Sequence, residues 1–372
     1  MESAITACLT TFLVTLALVI AWLTFMAGGW TPLVNTFKFM QIQNVIDRVY
    51  VGEADSHEIS DVAFATMIAM LNDRWSYYLT AEQYKDFMMD QSNNYVGIGV
   101  TIERTEDYLK IISVAKDSPA EKAGIVAGRY LVEVNGVRLT DESVSAVAAM
   151  LREDPNHVVL VLADEEGNET SYELKMKKIY YNPVRYEMLE DSIGYVKLEN
   201  FDETMADEAI KAVEALMADG AEALVFDVRN NGGGFLTELC DLLDYLLPEG
   251  EIFVAVYEDG KEKITKSDKK CIELPMVVLV NENSYSAAEF FAAALGEYDA
   301  AEIVGAPTTG KSRSQTNIQL IDGSAVHVSS KRYLTPNRVD LAEQGGLIPD
   351  FIIEDGENDP QLAAALELLR KN

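Results

Sequence analysis

From about residue 179 onward the sequence alternates short β-rich runs with helical runs, and that alternation limits the fold more than any other feature. Ile193–Leu198 reads as a strand, and Met205–Met217 as an amphipathic helix ended by Gly220. Ala223–Val228 is a strand, Thr237–Leu247 a helix, Met276–Val280 a strand, Ala287–Leu295 a helix and Glu302–Gly305 a strand. Such an order predicts a mostly parallel sheet with helices covering it. Ile318–Ile321 and Ala325–Ser329 flank Asp322-Gly323, a strong hairpin turn. Gln361–Leu369 predicts a short closing helix with an Ala/Leu stripe.

The preceding segment has a different character. Between Tyr95 and Lys178 the β-rich runs Gly97–Ile102, Leu109–Val114, Tyr130–Val134, Val158–Ala163 and Thr170–Met176 are interrupted by two short helical patterns, Pro119–Ala123 and Glu142–Arg152. This predicts a small, separately folded β domain. Residues from about Val34 to Asn94 look helical, with Ser56 placed to cap one helix. Trp75, Tyr77, Tyr78 and Phe87 form an aromatic group expected to serve packing. Ser3 to Phe37 holds no charged residue, and Ala4–Ala27 is nearly all apolar, long enough to cross a bilayer. With no Lys or Arg before it, the segment reads as an uncleaved anchor rather than a signal peptide. The expected organisation is therefore 1–30 anchor or signal segment, 31–94 helical region, 95–178 β domain and 179–372 α/β core.

Composition narrows the chemistry. The 372 residues carry 30 Lys+Arg against 61 Asp+Glu, a formal net charge of -31. Such a surface repels a phosphate backbone, so nucleic acid is not expected as a partner. The three histidines, His57, His157 and His327, show no metal-ligand spacing, and neither a metal nor a cofactor is expected. His327 lies in an alternating run and reads as a strand residue. Cys8, Cys240 and Cys271 form no CxxC; a Cys240–Cys271 disulfide has no support from spacing.

The stretch Pro275–Gln315 carries the candidate chemistry. A strand ends in the polar turn Asn281–Tyr285, and Ser286 stands immediately before a helix. A serine there has its hydroxyl at the mouth of the fold, beside backbone N–H groups at the positive end of a helix dipole. Ser286-Ala287-Ala288-Glu289 also has the spacing of a plain capping box, and Ser284 is a rival nucleophile. Lys311 follows in a loop rich in Gly, Thr and Ser with no acid from Thr308 to Gln315, a setting in which an amine can lose its charge. Gln315 stands four residues on and could hold that amine. Asp227-Val228-Arg229-Asn230-Asn231-Gly232-Gly233-Gly234 directly follows a strand. Its glycines allow close approach of backbone to a substrate. It has neither phosphate-loop pattern. In the β domain, Gly97-Ile98-Gly99-Val100 could form a groove edge on which a peptide adds as a strand.

Taken together, Ser-x-Ser-Ala-Ala-Glu, Gly-x-x-Thr-x-Gly-Lys-x-x-x-Gln and Asp-x-Arg-Asn-Asn-Gly-Gly-Gly resemble the carboxyl-terminal processing (tail-specific) serine proteases. The likeness runs from about Leu71 to Leu368 and includes Tyr-x-Gly-Ile-Gly-Val and Asp117-Ser118-Pro119-Ala120-Glu121. The resemblance implies a core like that of the Clp protease and crotonase families, with an inserted PDZ domain at 95–178. It implies Ser286 as nucleophile, Lys311 as general base and Gln315 as the residue orienting the lysine. It implies an oxyanion hole from Ala287 and Gly233, and capture of apolar C-terminal tails of proteins along Gly97, Ile98, Gly99 and Val100. It also implies a homodimer or larger assembly. Tyr285 stands where a small residue is usual, Gly232 where proline is common, and Ser312 where glycine is usual.

The expectation is thus a membrane-anchored serine endopeptidase acting outside the cytoplasm through a Ser/Lys dyad and an acyl-enzyme. The alternatives are a catalytically silent PDZ scaffold that binds protein C-termini and a crotonase-type acyl-CoA enzyme.

Overall fold

The computed structural model describes residues 2–105, 108–140 and 142–371, with side chains from residue 9 onward. The chain divides into two compact units, Met1–Tyr78 and Leu79–Asn372.

The first unit is helical. Glu2–Met26 is one continuous helix, and its window Leu9–Met26 has a mean hydropathy of 2.2 with no residue buried. It is long and apolar enough to cross a membrane, a test that a signal sequence also passes. Helices Trp30–Val49 and Ser56–Ala69 follow. Their seam holds a stacked Phe39–Phe64 pair and a hydrogen bond from Gln43 Nε2 to Ser60 Oγ at 2.7 Å. The second of these helices is capped by Asp55, not by Ser56 as expected. The Asp55 carboxylate accepts from the N–H groups of His57 and Glu58, so a one-residue shift moved the cap to the stronger acceptor.

In the second unit a six-stranded sheet forms the centre. Its order is Val184–Met188, Ile193–Leu198, Ala223–Asp227, Met276–Val280, Ala301–Gly305 and Phe351–Ile352. The first pair is antiparallel and every later pair is parallel. Every residue of Ala223–Asp227 and Met276–Val280 is buried, because both faces are covered. On one face Leu224, Phe226, Val278 and Val280 pack against helices Met205–Ala218, Leu236–Leu246 and Ala287–Glu297. On the other, Val225, Val277 and Leu279 pack against helix Pro360–Leu369 through Ala365 and Leu369. Alternate residues serve opposite faces, as the strand period of two requires.

The expected hairpin around Asp322-Gly323 forms, but it belongs to a larger antiparallel sheet whose other strands were not expected. Glu262–Ser267, Gly250–Val256, Ala325–Leu334 and Arg313–Gln319 pair in succession. Gly250–Val256 is nearly fully buried, yet it follows a helix as a parallel strand would, and its sequence gives no sign of the sheet it joins.

The β domain is a six-stranded antiparallel sheet: Val100–Arg104, Leu109–Val114, Tyr130–Val134, Val158–Ala163 and Glu169–Leu174 in that order, with the short Val137–Arg138 paired to Tyr130–Val134. Val158, Leu160 and Leu162 face its own core with Leu109, Ile111 and Val147. The expected strand Gly97–Ile102 is broken. Asn94–Gly97 pairs instead with Lys177–Tyr180 as a two-stranded stem, and a new strand starts at Val100. Gly99 makes the break, with φ at +85°; a Cβ there would fall 2.2 Å from Ser118 Cβ.

Candidate active site

The site is built where strand Met276–Val280 passes into helix Ala287–Glu297. Ser284, the rival nucleophile, is fully buried. Its hydroxyl donates to the Val228 carbonyl at 2.7 Å and accepts the Asn281 N–H at 3.0 Å, tying the turn to the neighbouring strand end. Tyr285 N–H donates to the Asn231 carbonyl at 3.1 Å. Ser286 then adopts φ 57° and ψ -124°, a conformation that a serine holds only when its surroundings impose it.

Glu289 does much of that imposing. It is fully buried in an otherwise apolar helix turn, and both carboxylate oxygens are occupied. Oε2 accepts the Ser286 N–H at 2.9 Å and the Lys311 N–H at 2.8 Å. Oε1 accepts the Gly310 N–H at 2.6 Å and the Thr308 hydroxyl. One side chain therefore fixes the main chain of both residues singled out for catalysis. In the sequence Glu289 stands out only as a capping-box residue. The available signal was a lone acid in the run Ala287–Leu295, where a charge must find buried partners.

Lys311 is half-buried, and its Nζ lies 5.5 Å from the centroid of the Tyr285 ring. The loop before it is fastened from several sides. Thr309 Oγ1 donates to the Glu282 carbonyl at 2.6 Å, and Thr308 Oγ1 accepts the Leu347 N–H at 2.8 Å. Gln315 sits on strand Arg313–Gln319 opposite Ser329. Its Nε2 donates to the Arg313 carbonyl at 3.0 Å and to Ser329 Oγ at 3.1 Å. His327 is a strand residue: Nδ1 bonds Asn317 Oδ1 and the ring packs edge-on to Phe87.

The glycine loop closes against the same turn. A Cβ on Gly233 would fall 2.8 Å from Ser286 Cβ and 2.9 Å from the Ala287 nitrogen, so only glycine fits. Gly233 N–H donates to Asn231 Oδ1 at 2.8 Å, and Asn231 Nδ2 donates to the Leu198 carbonyl at 2.8 Å. Gly233, Ser286 and Ala287 are thus brought together, with the Gly233 donor engaged by its own loop.

Behind the loop lies a charged network that the sequence did not disclose. Asp227 accepts from Tyr195 Oη at 2.7 Å, Lys197 Nζ at 3.0 Å and Arg229 Nη2 at 2.7 Å. Arg229 also pairs with Asp359 at the start of helix Pro360–Leu369. Burial would push the Asp227 carboxyl up, but the Arg229 hydrogen bond and the charges of Lys197 and Arg229 together hold it below the usual range. The Arg229 hydrogen bond likewise lowers Asp359. Asp202, beside Gly234, is pushed up to about 7 by burial and by the charges of Asp90, Glu203 and Glu238.

In the β domain, Gly97, Ile98, Gly99 and Val100 form one wall of a groove of about 180 Å³, and helix Val144–Glu153 forms the other. Met176 and Leu151 line it, and Arg152 stands at its edge. Cys240 and Cys271 are free thiols, so the disulfide is not formed; burial pushes the Cys240 thiol up to about 12.

These features are those of a peptidase core bearing a PDZ domain. Residues 192–353 match the model of Peptidase family S41 and residues 110–163 that of the PDZ domain. A CtpA-like serine protease of Staphylococcus aureus (strain MSSA476) is 31% identical over 329 residues, covering 87% of this chain and 66% of that protein. Its counterpart in Staphylococcus saprophyticus is 29% identical, covering 93% and 72%. The photosystem II D1 C-terminal processing protease superposes with a TM-score of 0.52 at 26% identity, covering 89% of this chain and 96% of that one. An S41 protease from Bacteroides fragilis superposes at 0.57 with 16% identity, covering 89% and 97%, a likeness of fold. Residues 192–353 are thus a peptidase family S41 region, and residues 110–163 belong to a PDZ domain. It spans 66% of the length of the S. aureus relative.

Proposed function

We propose that the protein is a serine endopeptidase that takes hold of the apolar C-terminal tails of proteins and hydrolyses peptide bonds through Ser286 and Lys311. The observation that carries this reading is the shared anchor: one oxygen of buried Glu289 accepts the main-chain N–H of both residues, at 2.9 and 2.8 Å. A capping residue needs only the first of these bonds.

In the proposed reaction the neutral Lys311 amine takes the Ser286 hydroxyl proton as Oγ attacks the substrate carbonyl. The tetrahedral oxyanion is met by the Ala287 N–H at the positive end of its helix, and by Gly233 once that N–H leaves Asn231 Oδ1. The Lys311 ammonium returns its proton to the leaving amine, which departs and leaves an acyl-enzyme. Lys311 then takes a proton from a water as that water attacks the ester carbonyl, and returns the proton to Ser286 Oγ as the ester bond breaks and the acid is released. Gln315 orients the lysine from the neighbouring strand. The tail lies as an added strand along Gly97–Val100, its side chains in the groove beside helix Val144–Glu153. The proposed domains are those of the sequence: 1–30, 31–94, 95–178 and 179–372. The apolar helix Glu2–Met26 would anchor the protein, with the catalytic part outside the cytoplasm and two copies associated as a homodimer.

The test is cleavage of a peptide with an apolar C-terminus by wild type, Ser286→Ala and Lys311→Ala, with a serine-reactive probe as second readout. Loss of cleavage in both variants and labelling at Ser286 are expected. Cleavage surviving both substitutions overturns the reading. Tail binding without cleavage by wild type identifies a scaffold.

A further inference from the structure

Two residues beside Ser286 and Lys311 are unassigned by the reaction above: Tyr285 and Gly232. They touch. A Cβ on Gly232 would fall 2.6 Å from Tyr285 Oη and 2.8 Å from its Cζ, so the tyrosine ring occupies the space that any side chain at 232 would need. The same ring has Lys311 Nζ 5.5 Å from its centroid, within cation–π range. The Tyr285 main chain is pinned to the glycine loop through Asn231. The ring therefore bridges the glycine loop and the lysine.

We propose that Tyr285 is a positioning residue for the Lys311 amine, and that Gly232 is glycine because the ring must lie there. The proposal rests on the reading of Lys311 as base. The face of an aromatic ring attracts an ammonium more than a neutral amine, so Tyr285 both places the lysine and favours its charged form. The other charged groups around the Lys311 loop are Glu289 from the helix start, Glu282 from the turn, Arg313 on the following strand, and Asp340 and Glu343 with Arg332 near them. Every one of them is retained in the variants below.

The test uses the full chain as wild type, Tyr285→Phe, Tyr285→Leu, Gly232→Ala and the double variant Gly232→Ala/Tyr285→Leu. Two quantities are followed against pH: peptide cleavage, as kcat and KM, and the titration of the Lys311 amine, from its rate of acetylation read by mass spectrometry. Phenylalanine keeps the ring, so its Lys311 titration should match wild type. Leucine fills similar space without a π face. It should move the titration and the acid limb of kcat down by about half a pH unit, and lower the plateau of kcat by about threefold with KM held. Gly232→Ala should copy Tyr285→Leu by displacing the ring, and the double variant should be no worse than Tyr285→Leu. Identical Lys311 titrations in the Phe and Leu variants, or losses that add in the double variant, overturn the proposal. If Ser286→Ala kept cleavage, the catalytic reading would fall on its own. The titration would still report whether the ring holds the amine.

Discussion

Glu289→Gln should separate fold from catalysis. The substitution keeps the size of the side chain and removes its charge. In the native site all four hydrogen bonds to Glu289 run inward, from Ser286 N–H, Lys311 N–H, Gly310 N–H and Thr308 Oγ1. A glutamine offers one acceptor oxygen and one NH2, so at least one backbone N–H would face another donor, and the remaining bonds would run to a neutral oxygen or need the Thr308 hydroxyl to turn. A hydrogen bond to a charged group contributes about 1.5–3 kcal/mol against about 1 kcal/mol for a neutral one, so one lost and the others weakened amount to about 3–6 kcal/mol. The loss can be relieved by releasing the loop 306–312 while the sheet beneath stays packed. Released, Lys311 is no longer held near Ser286, and kcat should fall by about 100-fold or more, with KM changed much less. The assays are peptide hydrolysis, the rate of Ser286 labelling by a serine-reactive probe, and a thermal melt followed by circular dichroism. A cooperative melt with slow labelling is the expected combination. Wild-type kcat in a folded Glu289→Gln protein would refute the shared-anchor argument.

Three further outcomes follow from the charges and the groove. Asp202 is held protonated to about pH 7, so the folded state binds more protons than the unfolded chain, and stability falls as pH rises from about 4 to 7. Asp202→Asn should therefore gain on wild type over that window, by about 2 kcal/mol once solvent screening is allowed for, with the gap constant above it; melts at a series of pH values check this. Arg229→Met leaves Asp227, which is 2% exposed, with Lys197 as its remaining cationic partner and frees Asp359, and should cost about 3 kcal/mol at neutral pH. The Asp227 and Asp359 carboxyls are lowered, so the wild-type advantage is complete above about pH 4 and is lost as pH falls through their folded values; denaturant titrations in acid should show the two proteins converging. Gly99→Ala places a methyl group on Ser118 and should weaken tail binding by tenfold or more, measured by fluorescence anisotropy of a labelled peptide, while hydrolysis of a short tail-less substrate persists.

Much of the fold could be read because its signals are local. Met276–Val280, Ile193–Leu198, Leu109–Val114 and Val158–Ala163 fall where the apolar runs put them, since each is bounded by turn residues. The antiparallel sheet containing Gly250–Val256 is hidden because the strand that joins it to the rest, Ala325–Leu334, lies far along the chain, and pairing leaves no mark on a single run. The same holds at the site. Ser286, Lys311 and the glycine loop stand out by motif, but the residues that bring them together act at a distance. Glu289 reaches across to Gly310 and Lys311, and Arg229 to Asp359. A capping box and a solvated arginine give the same letters, and burial alone tells them apart.

The left-handed backbone at Ser286 works like a compressed spring, kept loaded by the packing around it. A residue with no Cβ would let that spring relax. Ser286→Gly, although expected to be inert, should melt later than the active protein, by an amount equivalent to about 1 kcal/mol. Durability and reactivity would then be in direct opposition at a single position, and selection for a sturdier protein would tend to erase the hydroxyl first.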